Sequence, residues 1–276
     1  MSPVVRSQAP ERARTTAPGP AVRRVIVALA VLVVLLQIAY PLVPQGSARD
    51  DLTVATVVVF FAASVTHAVA WRGARFTAVL LAATAGGGFA VEVLGVATGL
   101  PFGAYVYADS LGPMAAGVPL IIPLAWTMMA YPAYVVTRRL TASRWVGIPL
   151  AGWALTSWDL YLDPQMVDAG HWSWDSAGPA ILGIPLSNFA GWFLVATLMM
   201  AVLHAAAGGP SAGQDTRPDD TVPALLYLWV YASSLLAHAV FFGLPGSAAL
   251  GAVGMGVIAV PLAVAVAGDL RGRDRP

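Results

Sequence analysis

Apolar residues in this chain come in long blocks rather than in alternation. Runs at about 25–43, 52–71, 76–99, 118–136, 145–162, 180–205, 222–243 and 247–267 each approach the ~20 residues that carry a helix across a bilayer. Short polar or glycine- and proline-rich breaks separate them. The pattern predicts an all-α, polytopic integral membrane protein with about eight transmembrane helices, or seven if the first is removed. Residues 1–24, rich in Pro, Ala and Arg, read as a disordered tail. Residues 25–267 read as a single transmembrane domain and 268–276 as a C-terminal tail. Arg23 and Arg24 ahead of the first run fit a signal peptide, but the run's length and weak cleavage site favour a retained helix.

Composition agrees and removes several chemistries. Hydrophobic residues make up 58% of the 276 and charged ones 11%, against roughly 25% in a soluble domain. There is no cysteine, which removes disulfides and thiolate chemistry. All 15 basic residues are arginine, so no lysine exists for a retinal-type Schiff base. A net charge of +1 offers no footprint for nucleic acid. The histidines at 67, 171, 204 and 238 are scattered, and no metal site is expected.

The arginines set the expected orientation. Arg6, Arg12, Arg14, Arg23 and Arg24 precede the first run. Arg72 and Arg75 lie in the second connection, and Arg138, Arg139 and Arg144 in the fourth. Arg217 lies in the sixth, and Arg271, Arg273 and Arg275 end the chain. The odd-numbered connections hold only Arg49. By the positive-inside rule the arginine side is cytoplasmic, with both termini there, in the cell membrane.

Ionisable groups inside a bilayer cost about 2.5–3.5 kcal/mol at the centre of a helix, so each is a functional candidate. Glu92, Asp159 and His238 fall within predicted helices, Asp163 just beyond the fifth, and Asn188 within the sixth. On this topology all sit in the outer half, and one shared site is expected. Separate interhelical hydrogen bonds are the alternative. His67 and His204, near the inner ends, read as interfacial histidines. Thr156, Asp159 and Asp163 share a helix face. Two carboxyls one turn apart repel, and burial disfavours charge, so one of them is expected to hold a proton. Glu92, Gly95 and Gly99 repeat that spacing, a glycine face for close approach of a helix or of a ligand. The longest outer connections, 98–117 and 163–179, carry Tyr105, Tyr107, Trp172 and Trp174 and no basic residue. They read as an aromatic belt or as a lid over the polar cluster.

Three stretches carry a family likeness: 88–113 (GFAVEVLGVATGLPFGAYVYADSLGP), 117–136 (GVPLIIPLAWTMMAYPAYVV) and 156–200 (beginning TSWDLYLDPQ). Together they resemble the membrane-bound carotenoid biosynthesis family that includes the carotenoid 1′,2′-hydratases and the haloarchaeal bisanhydrobacterioruberin hydratase. The likeness covers roughly residues 76–243. It implies addition of water to the terminal 1′,2′ double bond of an acyclic carotenoid end, giving a tertiary alcohol without a cofactor. It also implies a lipophilic carotenoid substrate, contact with membrane lipids and association with other carotenoid biosynthesis enzymes. The reaction needs an acid, a base for water and a nonpolar wall for a cation. Asp159 or Asp163 is the expected acid, Glu92 the expected base or cation stabiliser and Asn188 the expected water-positioning group. His238 is expected to tune or replenish the proton. Trp126, Trp158, Trp172 and Trp174, with Tyr105, Tyr107, Gly95 and Gly99, are the expected substrate contacts.

Three other readings stay open. Asp159 and Asp163 resemble one aspartate motif of membrane prenyltransferases, although the loops around them hold no Arg or Lys for a diphosphate. A carotenoid end-group cyclase would also protonate an acyclic end. A transporter or passive lipid-binding protein is the non-enzymatic alternative.

Overall fold

The computed structural model describes residues 17–175, 178–207 and 218–273. Arg6, Arg12, Arg14, Arg217 and Arg275, and most of the expected N-terminal tail, lie outside the described residues. Helices dominate: α1 Pro20–Ala39, α2 Ser47–Leu81, α3 Gly87–Thr98, α4 Ile122–Leu140, α5 Arg144–Asp168, α6 Leu186–Ala206, α7 Thr221–Leu236 and α8 Pro245–Arg273. Six short strands make three two-stranded pairs. They are β1 Tyr105–Tyr107, β2 Met114–Ala115, β3 Val118–Pro119, β4 Trp172–Trp174, β5 Ala180–Ile181 and β6 Ile184–Pro185.

Among the described residues, five helical stretches are long and apolar enough to cross a membrane: Pro20–Leu42, Ser47–Thr98, Leu186–Ala206, Thr221–Phe241 and Pro245–Asp269. The second has 52 residues, which at 1.5 Å per residue is more than twice the ~30 Å hydrocarbon core. Its helix is broken at Gly73 (φ 82°, ψ 166°), between Arg72 and Arg75, where the hydropathy pattern divides two runs. A five-residue π-helical turn, Ala82–Gly86, leads into α3.

α4 and α5 are the more polar helices, and they are buried by protein. From Ile122 to Thr137 nearly every α4 residue is buried. α4 packs on α2, α5, α7 and α8. A helix enclosed by its neighbours has no need of a lipid-compatible surface. Its hydroxyls instead meet partners, as Thr84 and Thr127 do at 2.8 Å.

Prolines inside these helices free carbonyl oxygens, and neighbouring helices supply the missing donors. Pro132 removes the N–H that Met128 O would accept, and Ser64 Oγ donates to that oxygen at 2.9 Å. Pro164 does the same to Leu160 O, to which Ser247 Oγ of α8 donates at 2.7 Å. His238 Nε2 reaches the next carbonyl, Tyr161 O, at 2.9 Å. Pro164 is therefore absorbed within α5, which runs through to Asp168. Asp163 lies inside the helix rather than just beyond it.

The fourth and sixth apolar runs begin as hairpins, not helices. β2 pairs with β3 and β5 with β6, each around two residues at positive φ: Ala116 (50°) with Gly117 (80°), and Leu182 (55°) with Gly183 (80°). Two such residues form the tight turn that matches strand twist.

The ends bearing Arg72, Arg138 and Arg139 are tied by polar contacts. Arg72 Nη2 donates to both carboxylate oxygens of Asp220 at 2.7 and 2.8 Å. Arg139 pairs with Asp269. His67 is buried there: Tyr131 OH lies 2.7 Å from its Nδ1, and its Nε2 lies 2.9 Å from Asp219 O. His204 Nδ1 lies 2.9 Å from Met200 O.

Candidate active site

β1 follows α3 and β4 follows α5, and the two strands pair antiparallel with Tyr105 opposite Trp174 and Tyr107 opposite Trp172. This pairing draws the C-terminal ends of α3 and α5 together. The carboxylate of Glu92, midway along α3, is buried and receives three donors. Tyr105 OH donates to Oε2 at 2.5 Å, Tyr107 OH to Oε2 at 2.9 Å and Trp126 Nε1 to Oε1 at 2.9 Å. Burial, and then the Glu92 charge, holds both phenols well above their ordinary range, so they stay protonated as donors.

Gly95 makes this arrangement possible. A Cβ there would lie 2.6 Å from Tyr105 OH and 3.0 Å from Phe102 Cδ2. Gly99 sits at φ 75° and caps α3, its N–H donating to Gly95 O at 2.7 Å. The glycine face thus seats the tyrosine strand and ends the helix. Neither glycine lines the cavity described below.

The facing cluster comes from α5 and α6. Asn188 Nδ2 donates to Asp159 Oδ2 at 2.9 Å and to Asp163 Oδ2 at 2.5 Å. Trp172 Nε1 donates to Asp163 Oδ1 at 3.2 Å. Asp159 Oδ1 is buried with no hydrogen-bond partner among the described residues. Two carboxyls at one amide nitrogen, out of water, disfavour two full charges, so a proton belongs in this cluster.

Glu92, Asp163 and Asn188 line a single cavity of about 420 Å³, counting space open to its surroundings. Tyr105, Tyr107, Trp126, Trp172 and Trp174 form much of its wall. Among the described residues no arginine or histidine lines it, and Asp159 is not on its wall but reaches it through Asn188. Five further wall residues, Phe102, Ile122, Ala125, Leu162 and Trp192, were not expected from the sequence. Trp192 stacks on Trp126 with centroids 3.9 Å apart and planes 15° from parallel. Trp158 stands edge-on to Trp192 at 6.4 Å, behind this wall.

His238 is not part of the cavity. It lies in the π-helical turn Ala237–Phe241, with Nδ1 2.8 Å from Ser234 O and Nε2 2.9 Å from Tyr161 O. Its ring faces the backbone of α5 at Tyr161, a direction that depth along a helix does not encode.

The cavity has an internal repeat. Gly112-Pro113, Gly117-Val118-Pro119-Leu120 and Trp126 recur at identical spacing as Gly178-Pro179, Gly183-Ile184-Pro185-Leu186 and Trp192. Each copy follows an aromatic-x-aromatic strand, and ahead of each strand lies a carboxylate-bearing helix. In each copy the carboxylate takes donors from its own strand and from its own following helix. This spacing is the signal that would have found Trp192.

Fold and site together define a helical membrane protein with a buried carboxylate pocket walled by aromatic rings. The chain belongs to the carotenoid biosynthesis protein family, whose sequence model matches residues 52–259. It is also similar to the bisanhydrobacterioruberin hydratase of Haloarcula japonica, 34% identical over 176 residues, which cover 59% of this chain and 58% of that protein. The chain thus spans less than two thirds of that relative's length. No solved structure matches it.

Proposed function

We propose that the protein is a carotenoid hydratase that adds water to the terminal double bond of an acyclic carotenoid end. The observation that carries this reading is the meeting of Glu92, Asp163 and Asn188 in one aromatic-walled cavity with no basic residue. The Asp159–Asp163 pair holds the proton. One of the two transfers it to the less substituted alkene carbon, leaving a tertiary cation on the other carbon. The rings of Trp126, Trp172, Trp174 and Trp192 face that cation.

Water attacks the cation, positioned through Asn188 and Asp163, which line the cavity. Glu92, held by three neutral donors, balances the positive charge and takes the proton that the bound water sheds. Return of a proton to the aspartate pair restores the site. The net change is one water added, with no electron transferred, so the chain's own acid and base groups supply the reaction. The similarity to the Haloarcula japonica hydratase supports the same chemistry.

The arrangement in the membrane belongs to the same proposal. Eight spans within residues 25–267 cross the cell membrane as one domain. Residues 1–24 and 268–276 lie on the cytoplasmic side, and the acid pocket lies in the outer half. The arginine distribution supports this orientation.

Expression in cells that accumulate acyclic carotenoids, followed by mass analysis of the pigment, tests the function. A product one water heavier supports hydration. A product of unchanged mass with a ring identifies a cyclase and overturns the proposal, as does unaltered substrate.

A further inference from the structure

We infer that a second, larger cleft beside the acid pocket holds the polyene arm of the substrate, with Ala125 at the throat between them. This rests on the reading that the end group reacts in the acid pocket. The second cleft spans about 930 Å³, counting space open to its surroundings, and is bounded by α1, α2, α4, α5 and α7. The two cavities share Ile122, Ala125, Leu162 and Trp172, so they meet at these side chains.

An acyclic carotenoid is long, thin and apolar, and only its end fits beside Glu92 and Asp163. The Trp126–Trp192 stack and the β1–β4 pair wall the acid pocket. The shared side chains give the arm a way out into a cleft already within the bundle. Val57, Met128 and Met166 supply apolar lining there.

The bounding helices suit access from the bilayer. α1 exposes Leu35 (56%) and Ile38 (47%), the end of α7 exposes Leu236 (56%), and the π-helical turn after it exposes Val240 (64%). Across the seam between α1 and α7, Trp229 Nε1 donates to Gln37 Oε1 at 2.8 Å. Ala125 is partly exposed although Ile122 and Trp126 of the same helix are buried, because it faces this open space. A larger side chain at 125 projects into the throat.

Protein purified in detergent from cells accumulating lycopene, an acyclic polyene, tests the inference by the polyene absorbance carried per protein. The wild type and Val253→Phe, an enlargement on the exposed face of α8, are expected to carry similar pigment. Ala125→Phe is expected to lower it at least tenfold, and Ala125→Leu by an intermediate factor. Undiminished pigment in both Ala125 variants overturns the inference, as does a wild type that carries none. If Ala125→Phe is absent from the membrane fraction, the Ala125→Leu comparison decides. Pigment that is bound, lost in the Ala125 variants and never hydrated overturns the hydration reading and leaves the cleft assignment standing.

Discussion

Trp126 and Trp192 stack face to face, with ring centroids 3.9 Å apart. They occupy corresponding positions of two copies of one helix–strand–hairpin–helix unit. The copies also meet through the β1–β4 pair, and each brings an unlike set of carboxylates to the site. One set is Glu92 with three donors on its two oxygens. The other is Asp159 and Asp163, bridged by one amide and left with an unfilled oxygen.

The two sets predict different kinetic losses. Asp163→Asn and Asp159→Asn remove the proton-holding pair, and hydration is expected to fall by about 10²-fold or more. Glu92→Gln keeps the side-chain shape but loses the charge, and a loss of similar order is expected. Product per protein, measured in membranes that still contain the variant, checks this. Full activity in all three would remove the acid and base assignment.

Tyr105→Phe leaves Glu92 with one donor fewer while keeping the ring. Loss of a hydrogen bond to a charged group costs about 1.5–3 kcal/mol. Thermal unfolding in detergent is therefore expected to fall measurably. Gly95→Ala should be worse than Tyr105→Phe, since its Cβ meets both Tyr105 and Phe102. Combined with Tyr105→Phe, the alanine is expected to cost less than alone, because the nearest clash is with the phenol oxygen.

The Pro164 kink predicts a compensating pair. Ser247→Ala alone strands the Leu160 carbonyl and is expected to cost about 1–3 kcal/mol. Pro164→Ala restores the missing backbone N–H. In that background Ser247→Ala is expected to be nearly neutral. A double-mutant cycle on unfolding temperature reads the coupling, and purely additive effects would contradict the geometry.

His171, in the connection after α5, gives a pH prediction. Its Nδ1 lies 2.8 Å from Ser110 Oγ and its Nε2 3.7 Å from Asp50 Oδ1. Burial holds its pKa below the ordinary 6.5, with Asp50 opposing. The unfolded chain then binds the proton more readily, so this contribution to stability is present above pH 6.5 and declines as pH falls below it. Unfolding temperature is expected to drop as pH falls below about 6.5 in the wild type. That drop should be smaller in His171→Gln.

Much of the architecture was legible because the bilayer imposes a simple rule on sequence. Long apolar runs and arginine-bearing breaks located the helices, and the division between Arg72 and Arg75 fell where Gly73 leaves the helix. Glu92, Asp159, Asp163 and Asn188 stood out because polar groups are expensive in that setting. The aromatics of 98–117 and 163–179 were found by composition, and the family likeness by three continuous motifs. Five of the helices show their span in hydropathy alone. α4 and α5 do so less clearly, since enclosure by protein relaxes the demand for apolar surface.

What the tertiary structure decided was direction and pairing. Depth along a helix follows from residue count, but facing depends on how helices rotate against one another, which no single run encodes. His238 points to the Tyr161 carbonyl of α5 instead of into the cavity. Gly95 and Gly99 have the spacing of a contact face and serve to seat Tyr105 and end α3. Trp192, unremarkable in an apolar helix, becomes a cavity wall because the β1–β4 pairing and the two hairpins bring its unit against that of Trp126. The sequence determined which residues must be sheltered from lipid. Only the packed helices decided which of them share a shelter, because hydrogen bonds and ring contacts are satisfied across elements far apart in the chain.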